Sequence, residues 1–139
     1  EVKEKRFKAI EEIEENGVAG FNEKFIKNVF HEDSLKNKKE LVESLRSVVF
    51  ANSQNIIIQG LIALAKRSET CSNLSKINIP TLIICGREDA VTPLEQSKYM
   101  NSHIEGSILK IIDNAGHVSN LEQPDEFNNQ FKAFLMNLG

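Results

Sequence analysis

Two cysteines in 139 residues are too few for a disulfide framework or a four-ligand zinc site. The three histidines, at 31, 103 and 117, stand far apart and have no metal-ligand spacing. Gly86 and Gly116 belong to no phosphate-binding loop. No metal and no cofactor is therefore expected. No apolar run approaches the ~20 residues of a membrane-spanning helix, and no basic-then-apolar start marks an export signal. Nor is there an excess of positive charge. Lys and Arg number 17 against 20 Asp and Glu, a net charge of −3, so nothing electrostatic points to nucleic acid or an anionic membrane. There is no internal repeat and no low-complexity segment. With 40% hydrophobic and 27% charged residues, the composition is that of a folded domain with reduced thiols, expected in the cytoplasm. Glu1, not Met, opens the chain within a helical pattern, so a longer parent protein is expected.

Two kinds of pattern divide the chain. Residues 1–76 read as successive helices. Val2, Phe7, Ile10 and Ile13 form one apolar stripe, which Asn16-Gly17 ends. Val18, Phe21, Phe25, Ile26, Val29 and Phe30 form a second. Leu41, Val42, Leu45, Val48 and Val49 form a third, after a charged loop from Lys36 to Lys39. The run 54–65 reads as a mostly buried helix, and 68–78 as a linker with at most one helical turn.

From residue 77 onward the pattern becomes strand, helix, strand, helix. Pro80 to Cys85 is a short apolar run bounded by Pro80 and Gly86, as a buried parallel strand would be. Thr92-Pro93-Leu94-Glu95 carries a capping-box pattern for a helix to about Ser102. Ser107 to Ile112 is a second strand. Pro124, with Asp125 and Glu126 behind it, opens a last helix whose apolar face is Phe127, Phe131, Phe134, Leu135 and Leu138. The expected class is α/β: a helical segment, 1–76, followed by a β-α-β-α unit, 77–139, with two short parallel strands joined by a right-handed crossover.

In open α/β sheets, chemistry collects beyond the carboxyl ends of the strands. Two loops lie there, Gly86 to Pro93 and Asp113 to His117, and they bring Asp89 and His117 to neighbouring strand ends. A carboxylate that accepts from one imidazole nitrogen sets the tautomer and frees the other to take a proton. Spacing alone leaves a second reading open, with Asp89 as a turn residue and His117 merely solvated.

The segment I-P-T-L-I-I-C-G-R-E-D-A-V-T-P, 79–93, followed by I-D-N-A-G-H, 112–117, resembles the C-terminal part of the α/β-hydrolase superfamily. The resemblance implies that Asp89 is the acid and His117 the base of a catalytic triad, in the family's chain order. It implies that 1–76 is a helical cap, as in small esterases, enol-lactonases and dehalogenases. The family's nucleophile sits upstream on a G-x-S-x-G elbow, and no serine here stands in that frame. Ser107 and Ser119 are poorly placed, Cys85 lies inside a strand, and nothing near Cys71 would lower its pKa. The oxyanion hole would also come from the upstream part.

The expectation is a fragment of a serine hydrolase, inactive alone, whose parent acts on an ester, lactone or thioester. The small-molecule acyl substrate would meet the nucleophile only in that parent. The strand 81–85 would show an open apolar edge, to be covered by self-association or by strand or helix exchange. Two other readings remain. The chain is a non-catalytic binding module in one, and in the other a separate chain supplies the nucleophile.

Overall fold

The computed structural model describes residues 2–138; Glu1, Gly139 and the Val2 side chain lie outside the described residues. Helix α1 spans Val2–Asn16. It buries Ile10 and Ile13, and it packs mainly on α5, Gln54–Lys66. Phe7, expected in that stripe, is 46% exposed. Gly17 ends the helix at φ 80°, and its N–H bonds the Ile13 carbonyl at 2.9 Å. A left-handed residue closes a helix in this way, and glycine does so without strain.

Helices α2 (Ala19–Val29), α3 (Glu32–Asn37) and α4 (Lys39–Phe50) surround a core of Ile26, Val29, Phe30 and Val42. Val118, from the other half of the chain, packs against that core. Here the charged loop expected at 36–39 is corrected: Lys36 and Asn37 complete α3, and Lys38 alone separates it from α4. The His31 ring accepts the Asp33 N–H at 3.1 Å, and Glu32 and Asp33 occupy the first turn, where the helix dipole favours negative charge. Helix α5 is also less buried than its composition implies. Ala65 alone among its residues is buried, and Ile56 is 58% exposed. Its main helical neighbour is α1, so much of its apolar surface remains open.

After a 3₁₀ turn at Cys71–Lys76, strand β1 (Leu82–Gly86) leads through α6 (Leu94–His103) to β2 (Ile108–Ile112). The strands pair in parallel with Leu82 opposite Ile108 and Gly86 opposite Ile112. Helix α6 packs on both. A four-residue helix, α7 (Ser119–Glu122), precedes α8 (Pro124–Met136) and has no counterpart in the sequence reading.

The expected core face of α8 is corrected as well: no residue of α8 is buried, and Phe131 and Leu135 are 46% and 49% exposed. Helix α8 packs on β1 and β2. Thirteen helical residues run for about 20 Å, whereas two strands ~5 Å apart offer a narrow platform. Among the described residues, each strand has one side with no ladder partner. Among the described residues no single helix is long and apolar enough to cross a membrane.

Candidate active site

The carboxyl ends of β1 and β2 are joined by backbone contacts. The Arg87 N–H bonds the Ile112 carbonyl at 2.9 Å, and the Glu88 N–H bonds the Ala115 carbonyl at 3.1 Å. The Glu88 carboxylate returns to the Ala115 N–H at 3.2 Å, and Arg87 pairs with Asp113. Gly86 has no room for a side chain, since a Cβ there would overlap the carbonyl oxygens of Ala115 and Gly116. This close approach brings Asp89 beside His117.

His117 Nδ1 lies 2.9 Å from Asp89 Oδ2. An ionised carboxylate only accepts, so Nδ1 carries the hydrogen and Nε2 is the free, basic nitrogen. Nε2 has no hydrogen-bond partner among the described residues, and the ring is 37% exposed while the Asp89 side chain is 4% exposed. The carboxylate is held on several sides. Its Oδ1 accepts the Val91 and Thr92 N–H groups at 2.8 and 2.9 Å, and its Oδ2 accepts the Thr92 hydroxyl at 2.7 Å. Burial pushes the Asp89 carboxyl up, but the Thr92 N–H, His117, the Thr92 hydroxyl and the Val91 N–H together outweigh it and leave it below its ordinary value.

The capping box expected at Thr92 is corrected here. Pro93 occupies the N-cap of α6 with no side-chain cap bond, and the Thr92 hydroxyl is given to Asp89 instead. A charged acceptor outcompetes the neutral helix-end role of that hydroxyl. Its oxygen is also 3.3 Å from His117 Nδ1, which closes the ring of contacts around the pair.

Sequence reasoning missed Glu122. It is 1% exposed, and its two carboxylate oxygens accept different N–H groups, His31 at 2.8 Å and Gly116 at 2.6 Å. Lys38 Nζ donates to the Glu122 carbonyl. The His117 N–H then bonds the Val29 carbonyl at 2.8 Å. A Cβ on Gly116 would come within 2.7 Å of the Val29 oxygen. The loop that carries His117 is therefore fastened, backbone to backbone, on the turn between α2 and α3. The available signal was the Glu itself, an acidic residue followed by Gln-Pro at the start of the final helix. It reads as an ordinary helix-end charge until Gly116 and His31 are seen against it.

The remaining candidates have other occupations. Cys85 is buried in β1. Cys71 is exposed, and a hydrogen bond to Glu69 pushes its thiol pKa up. The Ser107 hydroxyl donates to Asn101, and Ser119 is buried in α7. His31 caps α3, and His103 stacks on Tyr99 with ring centres 4.0 Å apart. Among the described residues no group of three His, Cys, Asp or Glu could hold a metal ion.

Two outcomes follow. Glu122→Ala strands two buried N–H groups, and equilibrium urea unfolding is expected to show a loss of about 3 kcal/mol, at about 1–3 kcal/mol for each unpaired group. For Asp89, a folded-state pKa below the unfolded value means that its contribution is complete above about pH 4 and disappears as pH falls through the depressed value. The urea midpoint of the wild-type chain should therefore fall more steeply on acidification below about pH 4 than that of Asp89→Asn.

Known proteins resemble this chain in sequence and in fold. A sequence model of the alpha/beta hydrolase fold matches residues 11–124. The 3-oxoadipate enol-lactonase 1 of Acinetobacter baylyi is 41% identical over 76 residues, which is 55% of this chain and 28% of that protein. The 3-oxoadipate enol-lactonase 2 of the same species is 32% identical over 101 residues, 73% of this chain and 37% of that protein. A thermophilic esterase from Thermogutta terrifontis, solved with malate bound, superposes with a TM-score of 0.89 at 25% identity, covering 98% of this chain and 50% of that one. The chain thus spans about half the length of the esterase, and its matches cover about a third of the two lactonases. With the matched segment extending over most of its length, the chain belongs to the α/β hydrolase fold family.

Proposed function

We propose that Asp89 and His117 are the acid and base of a serine-type hydrolase acting on a carboxylic ester, lactone or thioester, with the nucleophile supplied from outside these 139 residues. The observation that carries this reading is the oriented pair, a buried carboxylate on Nδ1 with Nε2 left open. In the complete site a serine hydroxyl attacks the acyl carbon while His117 Nε2 takes its proton. His117 then returns that proton to the leaving alcohol, thiol or ring oxygen. Water attacks the acyl-enzyme by the same route, again through Nε2. Asp89 holds the ring and stabilises the imidazolium formed at each step. The lactonases and esterase among the relatives support an acyl substrate. In this reading residues 1–76 form a cap that shapes the substrate pocket and 77–139 complete the catalytic core. The two free thiols, Cys71 and Cys85, support a reducing, cytoplasmic setting.

A base with nothing to activate contributes almost nothing, because nucleophile, base and acid act as a unit. The 139-residue chain is therefore expected to hydrolyse p-nitrophenyl butyrate no faster than its His117→Ala variant. Turnover by the chain that His117→Ala abolishes would show that a nucleophile lies within it. In a protein that also contains the upstream elbow, Asp89→Asn should lower kcat about 10⁴-fold with little change in KM.

We also propose that the unpaired sides of β1 and β2 and the open face of α8 are covered by self-association or strand or helix exchange when the chain is alone. Sedimentation at high concentration is expected to give a mass above the 15.7 kDa of one chain, and a single monomeric boundary would count against it.

A further inference from the structure

The Cβ–Cγ bond of an aspartate is a soft torsion, so a carboxylate keeps one orientation only where both of its oxygens are held. At Asp89 the backbone holds one of them: Oδ1 accepts the Val91 and Thr92 N–H groups. Oδ2 faces His117, and among the described residues its other donor is the Thr92 hydroxyl, at 2.7 Å. One residue thus grips both oxygens, with its N–H on one and its hydroxyl on the other. The hydroxyl also turns a suitable atom towards the ring. Its hydrogen is committed to Oδ2, so the Thr92 oxygen, 3.3 Å from His117 Nδ1, presents a lone pair there. Nδ1 then faces two acceptors, which favours the tautomer with the hydrogen on Nδ1. His117 is the titratable group in contact with Asp89, and the other charges of the loop are engaged elsewhere. Arg87 pairs with Asp113, and Glu88 accepts the Ala115 N–H.

We infer that Thr92 is a positioning residue of this site: its hydroxyl fixes Asp89 Oδ2, and through it the His117 ring, while Nε2 gains and loses a proton. The inference rests on the catalytic reading of the Asp89–His117 pair. In that reading the ring is neutral at one step and an imidazolium at the next. A carboxylate whose Oδ2 was held by the ring alone would turn as the ring turned, and the proton would return along a poorer line. With Oδ2 held by Thr92, the carboxylate keeps its place whatever the charge on the ring. The requirement is for a hydroxyl on Cβ at position 92. Serine meets it, and valine, with the shape of threonine, does not.

The test follows the Asp89 carboxyl carbon by ¹³C NMR through an acid titration of the 139-residue chain, for the wild type, Thr92→Val and Thr92→Ser. Valine fills the volume of threonine, so water does not take the place of the hydroxyl. The hydroxyl favours the ionised carboxylate. Thr92→Val is therefore expected to raise the Asp89 midpoint, and Thr92→Ser to keep it at the wild-type value. In a protein that also contains the upstream elbow, Thr92→Val should lower kcat on p-nitrophenyl butyrate about tenfold with KM unchanged, and Thr92→Ser should restore it. A midpoint unmoved in Thr92→Val, or raised equally in Thr92→Ser, would overturn the grip of the hydroxyl on Asp89. A raised midpoint with kcat unchanged would overturn the positioning role. The titration needs no turnover, so its failure is distinct from failure of the catalytic reading, which His117→Ala tests.

Discussion

The placement of His117 depends on how closely three stretches of backbone approach one another. The end of β1 at Gly86, the loop at Ala115-Gly116 and the turn at Val29–His31 meet where no side chain fits between them. Glu122 satisfies the N–H groups this crowding would otherwise strand, one from the loop and one from the turn. A buried carboxylate is unfavourable alone, but here its two oxygens face N–H groups that have few other acceptors. Without that fastening, the loop that carries His117 would lose part of its hold on the turn after α2.

Asp89 illustrates the same logic at shorter range. Its carboxylate is buried by the loop it organises, and the Val91 and Thr92 N–H groups and the Thr92 hydroxyl hold it ionised. An ionised partner on Nδ1 keeps the proton there and leaves Nε2 as the basic nitrogen. The helical half and the site are therefore mechanically continuous. Helix α2 carries, at its end, the Val29 carbonyl that holds the His117 backbone.

Much of this was legible in the residues. The Pro80 and Gly86 boundaries marked β1, Asn16-Gly17 ended α1, and Asp89 and His117 stood at neighbouring strand ends. The signals that failed share a cause. Thr92 was read as a local cap, but a charged acceptor three residues before it took its hydroxyl. The stripes of α5 and α8 were read as core, yet an apolar stripe shows only that a face seeks cover. Within these residues α5 packs mainly on α1, and α8 rests on two short strands. Helix α3 was hidden because its six residues carry a charged surface and no apolar period.

The sequence by itself determined the α/β class and the parallel pair of strands, and it placed Asp89 and His117 at neighbouring strand ends. These follow from periodicity, turn residues and a motif of contiguous positions. Only the tertiary structure decided that Glu122 holds the His117 loop and that Thr92 serves Asp89. A buried polar group is defined by the atoms that surround it. For Glu122, one of the two N–H groups it accepts, that of His31, comes from a segment 91 residues away in the chain.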